Sequence, residues 1–552
     1  MNKLYYGDNI TIMRQMAKWS VDLVYLDPPF NSKRNYNIMY KTMTGMPVPE
    51  QVEAFCDTWE LDAEKEKRAK EMPILLRECG VDEYYVDFWQ IWIKALRNTQ
   101  PHLLAYLIYM VERLVHMKIL LKPTGSIYLH CDPTVSHYIK VMMDGIFGHR
   151  NFQNEIVWKR TSAHSRAKRW GPIHDTLLFY TMSSKYTWNR VLEQYDQSYV
   201  DNYYRFNDEH GRYRVGDLTG PGVRHGSSGE AWRDVDPTDK GRHWELPPDR
   251  ALPDWFEHPE GYSKMTVQER LDILDKEDMI YWPTRGRVPG FKRYLSIAKG
   301  NPVQDIISDI QPIGAHAIER LGYPTQKPIV LLDRIIRASS NPGDVIFDPF
   351  CGCGTTIYAA HESGRNWIGC DIAILPIKLI KRILEERYRL VENTHFEISG
   401  IPVSVEQARV LFKHDPFQFQ HWFVEKIGGF PMQKKVADRG IDGRVYFETK
   451  DGLFEMVLSV KGGNIRPTDV RDLRGVLERE ENAKMAGFLS LRKPTKAMLD
   501  EASQAGIFEY EGVNYERLQF LTVADVLEDK REFHTPTRIG MKGETGQTNL
   551  AI

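Results

Sequence analysis

Three short apolar runs, 21–26, 345–347 and 366–370, each end at an aspartate: Asp27, Asp348 and Asp371. Runs of this length predict buried parallel strands, which deliver the residues that follow them to the carboxyl edge of a sheet. That edge is where open α/β sheets bind ligands. Between the first two runs the period changes. Phe88, Ile91, Trp92 and Leu96, then Leu103, Leu104, Leu107, Ile108, Val111 and Leu114, recur at helical spacing, so residues 41–122 are predicted helical with apolar faces against the sheet. Lys122-Pro123-Thr124-Gly125 closes the second helical run before another strand. Residues 161–320 are rich in Gly, Pro, Trp and Tyr and show little helical period, as in a region threaded by loops. After about 393 the composition shifts and a second α/β unit begins. From about 533 the chain is rich in Gly, Thr and charge, which predicts a flexible tail.

The residues that follow the second and third runs carry chemistry. Asp348-Pro349-Phe350-Cys351-Gly352-Cys353-Gly354-Thr355-Thr356 is a glycine-rich turn leading into a helical stretch. Gly352 and Gly354 lack a Cβ, so a ligand can lie against the backbone and the turn can adopt positive φ without strain. Asp371 follows Gly352 by 19 residues, about the distance at which a second-strand carboxylate meets ribose hydroxyls in nucleotide folds. The pattern reads as an adenosine site. Ile357 and Tyr358 are bulky where a dinucleotide fingerprint has its third glycine, so a nucleoside cofactor without phosphates fits better.

These residues resemble the amino-methyltransferases that use S-adenosylmethionine to methylate exocyclic nitrogens of DNA bases. The resemblance rests on Asp27-Pro28-Pro29-Phe30 and on Phe350-Cys351-Gly352-Cys353-Gly354. Further matches are Gly7-Asp8-Asn9, Gly125-Ser126-Ile127-Tyr128-Leu129-His130-Cys131-Asp132, Ile146-Phe147-Gly148, Asn154-Glu155-Ile156-Val157-Trp158 and Pro324-Thr325-Gln326-Lys327-Pro328. It implies a Rossmann-like α/β sheet in the permuted order of the beta class, with a catalytic half at 1–160, an inserted target-recognition region at 161–320 and a cofactor half at 321–392. It implies that Asp348, Phe350, Gly352, Gly354, Thr355 and Asp371 hold S-adenosylmethionine, and that Asp27, Pro28, Pro29 and Phe30 act on the base. The chemistry needs such groups: the Asp27 carboxylate and Pro28 carbonyl can each accept an N–H of an amine whose lone pair is otherwise drawn into the ring. Phe30 offers a face to a base flipped out of the duplex. Asp at the head of the tetrad favours adenine N6 in this family, with cytosine N4 the alternative. RNA is a less suited substrate, given the large insertion.

The 552 residues, 42% hydrophobic and 27% charged, can bury a large core and predict two or three domains. The net charge of −2 confines any DNA surface to local patches. One is Lys159, Arg160, Arg166, Lys168 and Arg169, with His164 among them; another is Arg285, Arg287, Lys292 and Arg293, interleaved with Tyr281, Trp282, Phe291 and Tyr294. The expected partner is double-stranded DNA, with a homodimer or a restriction subunit as further partners. No apolar run is long enough to span a bilayer and the start lacks a signal-peptide pattern, so a cytoplasmic protein is expected. The six cysteines are scattered, which speaks against zinc or disulfides. His130, His137 and Asp132 are assigned to structure or DNA contact.

In the second α/β unit, Gly440-Ile441-Asp442-Gly443 and the strand ending Val457-Leu458-Ser459-Val460-Lys461 resemble the Mrr-like branch of restriction-endonuclease folds, over 400–530. In such nucleases an Asp and an acid or amide two residues before a Lys gather a divalent metal that activates water. Asp442 and Lys461 match; Ser459 stands where a Glu or Gln is usual and is a weaker ligand for a hard cation. Glu425, on a preceding helix, is the candidate to make up the missing carboxylate. Mg²⁺-dependent cleavage by a single-chain restriction enzyme and a degenerate DNA-holding domain both stay open.

Overall fold

In the computed structural model the described residues are 2–29, 36–38, 52–55, 59–161, 168, 170–285, 288–298, 300–314, 317–321, 323, 326–432, 440–450, 452–536 and 538–539. Phe30, His164, Arg166, Arg169 and Arg287 lie outside them. The three predicted strands pair side by side. Val21–Leu26 is parallel to Val345–Asp348, with Leu23 opposite Ile346 and Val24 opposite Phe347. Val345–Asp348 is parallel to Asn366–Asp371, and that strand to Asn2–Tyr6, with Tyr6 opposite Asp371. The complete sheet has nine strands in the order Ile306–Ile307, Phe152–Lys159, His174–Thr181, Leu121–Cys131, Val21–Leu26, Val345–Asp348, Asn366–Asp371, Asn2–Tyr6, Phe396–Ser399. His174–Thr181 runs antiparallel to both neighbours, and the other pairings are parallel.

Both faces of this sheet are covered, which is why its strands read as continuous apolar runs. Leu23 and Tyr25 enter one core and Val24 and Leu26 the other, the period of two expected of a strand. On the second face lie the helices Ala63–Glu78, Glu83–Thr99 and Pro101–Leu120. The last is buried almost all round, from Leu103 to Met117. Glu83–Thr99 is phased differently from the expected stripe: it buries Val86, Trp89, Ile93 and Leu96, while Ile91 is 65% exposed. Its apolar residues occupy more than one face, so spacing alone could not select the buried one.

Residues 190–303 form a second compact unit. It is narrower than the 161–320 span expected, because His174–Thr181 and Ile306–Ile307 belong to the main sheet. Its strands Ile280–Tyr281, Gly290–Tyr294, Gly211–Asp217 and Phe206–Asp208 form an antiparallel sheet, and Trp232, Trp244, Phe256, Leu271 and Phe291 are among its core. The chain enters and leaves through Leu192–Glu193 paired antiparallel with Asn301–Pro302. Lys292 is not a surface cation. It is buried between Asp208 (2.9 Å) and Asp278 (2.7 Å), whereas Arg285 and Arg293 are exposed.

Residues 400–530 build a further sheet in the order Phe430–Pro431, Gly443–Thr449, Gly452–Lys461, Ala483–Ser490, Leu518–Thr522. Its first three strands pair antiparallel and its last three parallel. This layer groups with residues 1–189 in one compact unit rather than standing alone. The helix Pro416–Lys426 explains that. Its Phe419, Trp422 and Phe423 belong to one core with Ile374 and Phe396 beside the main sheet and with Val445, Leu458 and Met485 of the C-terminal sheet. Residues expected in a tail from about 533 belong to this layer: Phe533 is buried, and Arg538–Ile539 pairs with Gly443–Thr449. No helix among the described residues is long and apolar enough to cross a membrane.

A shared core predicts shared unfolding. Trp422→Ala removes a fully buried indole, a loss of about 3–5 kcal/mol. In denaturant melts followed by hydrogen exchange we expect residues of the main sheet and of the C-terminal sheet to lose protection together and by similar amounts. A loss confined to 400–530 would show that this layer unfolds on its own.

Candidate active site

At the carboxyl edge of the main sheet, a cavity of about 140 Å³ is lined by Tyr25, Asp27, Pro28, Pro29, Asp348, Phe350, Gly352, Thr355 and Asp371, among others. The two strings separated by three hundred residues meet there because their strands are neighbours. The glycine turn is locked from below: Asp348 accepts hydrogen bonds from the Phe350 amide (3.0 Å) and the Thr356 hydroxyl (2.5 Å). Gly352 and Gly354 have φ of +47° and +89°, which other residues adopt only with strain. Gly354 is also tight, since a Cβ there would lie 2.7 Å from Ile380 Cγ1, a protein atom and not ligand space. It opens the helix Thr355–Glu362.

Asp371 joins that turn to the next strand. One carboxylate oxygen accepts from the Gly352 amide (3.0 Å), the other from the Ala373 amide (2.9 Å). Burial pushes the carboxyls of both Asp348 and Asp371 up to about 7. Asp27 is held differently. Lys327, itself buried, pairs with its Oδ2, while Oδ1 is buried and has no hydrogen-bond partner among the described residues.

Behind the tetrad, Tyr25 shares a hydrogen bond with His130 Nδ1 (2.8 Å), and His130 Nε2 lies 3.3 Å from Asp175. Burial works against ionisation of Asp175, yet the His130 hydrogen bond holds its pKa below the ordinary range. Arg160 Nε sits 3.1 Å from the same carboxylate, so this residue, expected on a DNA surface, is largely committed to a buried acid. Lys159 and Lys168 are exposed. His130 is wholly buried and belongs to structure. Asp132 receives the Thr134 amide (2.9 Å), and His137 is exposed.

Several lining residues escaped the sequence reading. Arg113 donates to Asp8 (2.8 Å) and stacks on Tyr109, 3.3 Å from the ring centroid; Tyr109 lines the cavity, and burial raises its pKa to about 12. An arginine inside an otherwise apolar helix was the available signal, since a buried cation needs an acid. Asn9 donates to the Pro349 carbonyl (2.9 Å). Lys327 was quoted above only as part of a family string and Tyr323 directly precedes that string, but nothing in their spacing marked either as lining.

The C-terminal candidates assemble only in part. Asp442 accepts from the Val460 amide (2.6 Å) and from Gln420 Nε2 (2.7 Å), which sets it beside the Ser459-Val460-Lys461 strand end. Ser459 is buried. Glu425 does not join them. Five residues from Gln420, it points about 140° around the helix, where it receives the Tyr6 hydroxyl and the Ile374 amide (both 3.3 Å). Among the described residues no group of three or more His, Cys, Asp or Glu could hold a metal ion. The described cysteines are free.

A mixed sheet carrying a glycine turn and buried carboxyls at one carboxyl edge defines an α/β protein with a single-edge ligand site. The DNA methylase family model matches residues 21–382, more than half of the chain, and the chain belongs to that family. It is 33% identical over 279 residues to the type II methyltransferase M.EcaI of Enterobacter cloacae, covering 50% of this chain and 57% of that one. It is 25% identical over 391 residues to the Mod subunit of the type III restriction-modification enzyme StyLTI of Salmonella typhimurium, covering 67% and 52%. Over 63 residues it is 54% identical to the DNA adenine methyltransferase YhdJ of Escherichia coli, covering 11% and 21%. The chain thus spans about half the length of the first two relatives.

Asp371 has a consequence for stability. Its carboxyl stays protonated in the folded protein up to about pH 7, whereas an unfolded aspartate ionises near 4. Between those values the unfolded chain holds fewer protons, so stability falls as pH rises from about 4 to 7. Asp371→Asn is exempt. In denaturant melts without cofactor we expect this variant to gain on the wild type between pH 4 and pH 8; a difference flat across that range contradicts the buried neutral acid.

Proposed function

We propose that this chain transfers a methyl group from S-adenosylmethionine to the N6 amine of adenine in double-stranded DNA, in a restriction-modification setting. One observation carries the reading: a carboxylate oxygen without a partner among the described residues, Asp27 Oδ1, is buried in a residue that lines the cavity shared with the glycine turn and Asp371. A buried acceptor left unmade is costly unless a ligand completes it. An exocyclic amine does so. Asp27 Oδ1 accepts one N–H and the Pro28 carbonyl the other, drawing density back onto nitrogen as it attacks. Lys327 fixes the other oxygen and balances its charge. Phe30, outside the described residues, keeps its proposed role as the face on which the flipped base stacks.

The cavity suits the cofactor. Each Asp371 oxygen uses one lone pair on a backbone amide, leaving capacity for ribose hydroxyls, and Phe350, Gly352 and Thr355 form the wall, whereas Gly354, expected to touch the cofactor, is not among the lining residues and serves the turn. S-adenosylmethionine, when bound, supplies the electrophilic methyl group. The names of the three relatives, a type II methyltransferase, a Mod subunit of a type III restriction-modification enzyme and a DNA adenine methyltransferase, support the same reading. Cytosine N4 is the alternative base, and the Mod relative supports a restriction partner subunit. We read the unit 190–303 as the target-recognition element and the protein as cytoplasmic, where its DNA lies.

A second reading concerns the C-terminal layer as an Mrr-like nuclease needing Mg²⁺. The Asp442–Val460 contact favours it, since it brings the acid to the Lys461 strand end. Against it stand Glu425, turned away, and Asp442 itself, whose two oxygens already accept protein hydrogen bonds. Incubation of the purified chain with unmethylated and methylated DNA over Mg²⁺ and Mn²⁺ decides. Metal-dependent cutting that Asp442→Ala abolishes establishes a nuclease; no cutting leaves a DNA-holding layer.

For the methyl transfer, Asp27→Ala removes the transition-state acceptor, typically about 2.7–4 kcal/mol, or roughly a hundredfold or more in rate. We expect cofactor affinity, measured by calorimetry, to stay near wild type in this variant. Asp371→Ala should do the reverse, weakening cofactor binding by about 1.5–3 kcal/mol. Turnover of Asp27→Ala within a few-fold of wild type would remove the assignment.

A further inference from the structure

The helix Pro416–Lys426 reaches from the C-terminal layer to the turn that carries Asp371. Gln418 and Glu425 stand seven residues apart on it, two turns, and so share a face. Gln418 Nε2 donates to the Ile372 carbonyl (3.2 Å). The Glu425 carboxyl accepts from the Ile374 amide and the Tyr6 hydroxyl, each at 3.3 Å. All three partners flank Asp371: Tyr6 is its neighbour across the sheet, Ile372 lines the cavity next to it, and Ile374 opens the helix Ile374–Glu386.

That helix has Ala373 at its N-cap position and no side-chain cap of its own. An alanine cannot accept the free amides of a first turn. The acceptor comes instead from Glu425, 51 residues further along the chain. Gln418 and Glu425 are 2% and 6% exposed. Burial pushes the Glu425 carboxyl up to about 8, so at neutral pH it braces the turn as a neutral acid and adds no charge beside Asp371.

We propose that Gln418 and Glu425 are positioning residues for the cofactor: they brace the Asp371–Ile374 turn from both sides, so the C-terminal layer completes the cofactor site. This rests on the reading of the cavity as an S-adenosylmethionine site. Gln420, on another face of the same helix, holds Asp442.

The test is calorimetric titration of the full chain and its variants with S-adenosylmethionine, beside a thermal melt of each. Loss of hydrogen bonds of this kind corresponds to roughly a five- to tenfold weaker affinity, which we expect for Glu425→Ala. Glu425→Gln, isosteric with the protonated acid, should stay within about twofold of wild type, and Gln418→Leu should lose a few-fold. A purely structural role lowers the melting temperature and leaves the affinity of folded Glu425→Ala unchanged, which overturns the proposal. Should Glu425→Ala not fold, Gln418→Leu decides on the same criterion. Wild-type protein that does not bind S-adenosylmethionine overturns the reading of the cavity and this inference with it. Wild-type binding with unaltered variants overturns the inference alone.

Discussion

The parallel pairing of Val21–Leu26 with Val345–Asp348 is the constraint on which the site depends. Asp27 and Asp348 are far apart in the chain, and only this ladder brings them to one edge. Its register is over-determined. A slip by one residue would exchange Leu23 and Tyr25 with Val24 and Leu26 between two different cores. Because both faces are apolar and fully packed, the penalty comes from shape as much as polarity: an aromatic would have to fill an aliphatic space. The placement of Asp27 beside Asp348 is thus set by packing on both faces of the sheet.

Three carboxyls at that edge create an electrostatic problem, and each is handled in its own way. Asp27 has the Lys327 ammonium. Asp348 has a hydroxyl and an amide, and Asp371 two amides; both remain neutral until about pH 7 because burial outweighs those donors. A cationic ligand entering the cavity would favour their ionised forms. The protein therefore holds charge in reserve at the place where a sulfonium is proposed to sit.

Much of this was legible in the sequence for a simple reason. Apolar runs ending in Asp, and glycines where positive φ is needed, are local signals, and strand ends at Asp27, Asp348 and Asp371 fell where the pattern put them. What was not legible depends on contacts between distant elements. The phase of Glu83–Thr99 is decided by its neighbours. Strand His174–Thr181 looked like loop because its surroundings are polar and irregular. Lys292 and Arg160 read as surface cations, yet Lys292 is itself buried against Asp208 and Arg160 meets the buried Asp175, pairings that only the fold supplies. Glu425 looked like a metal ligand for the Asp442 site because it is a carboxylate on the preceding helix and Ser459 left the site one short; the angle around that helix assigned it elsewhere.

The two short strands at the base of the unit 190–303 have a meaning for how such chains diversify. Leu192–Glu193 and Asn301–Pro302 are hydrogen-bonded neighbours, so the points of entry and exit lie about 5 Å apart. Any folded cassette whose ends meet at that spacing can be spliced there without stretching the host, and the ladder itself already closes the loop. Recombination at this doorway would exchange one inserted unit for another while the register that aligns Asp27 with Asp348 went untouched.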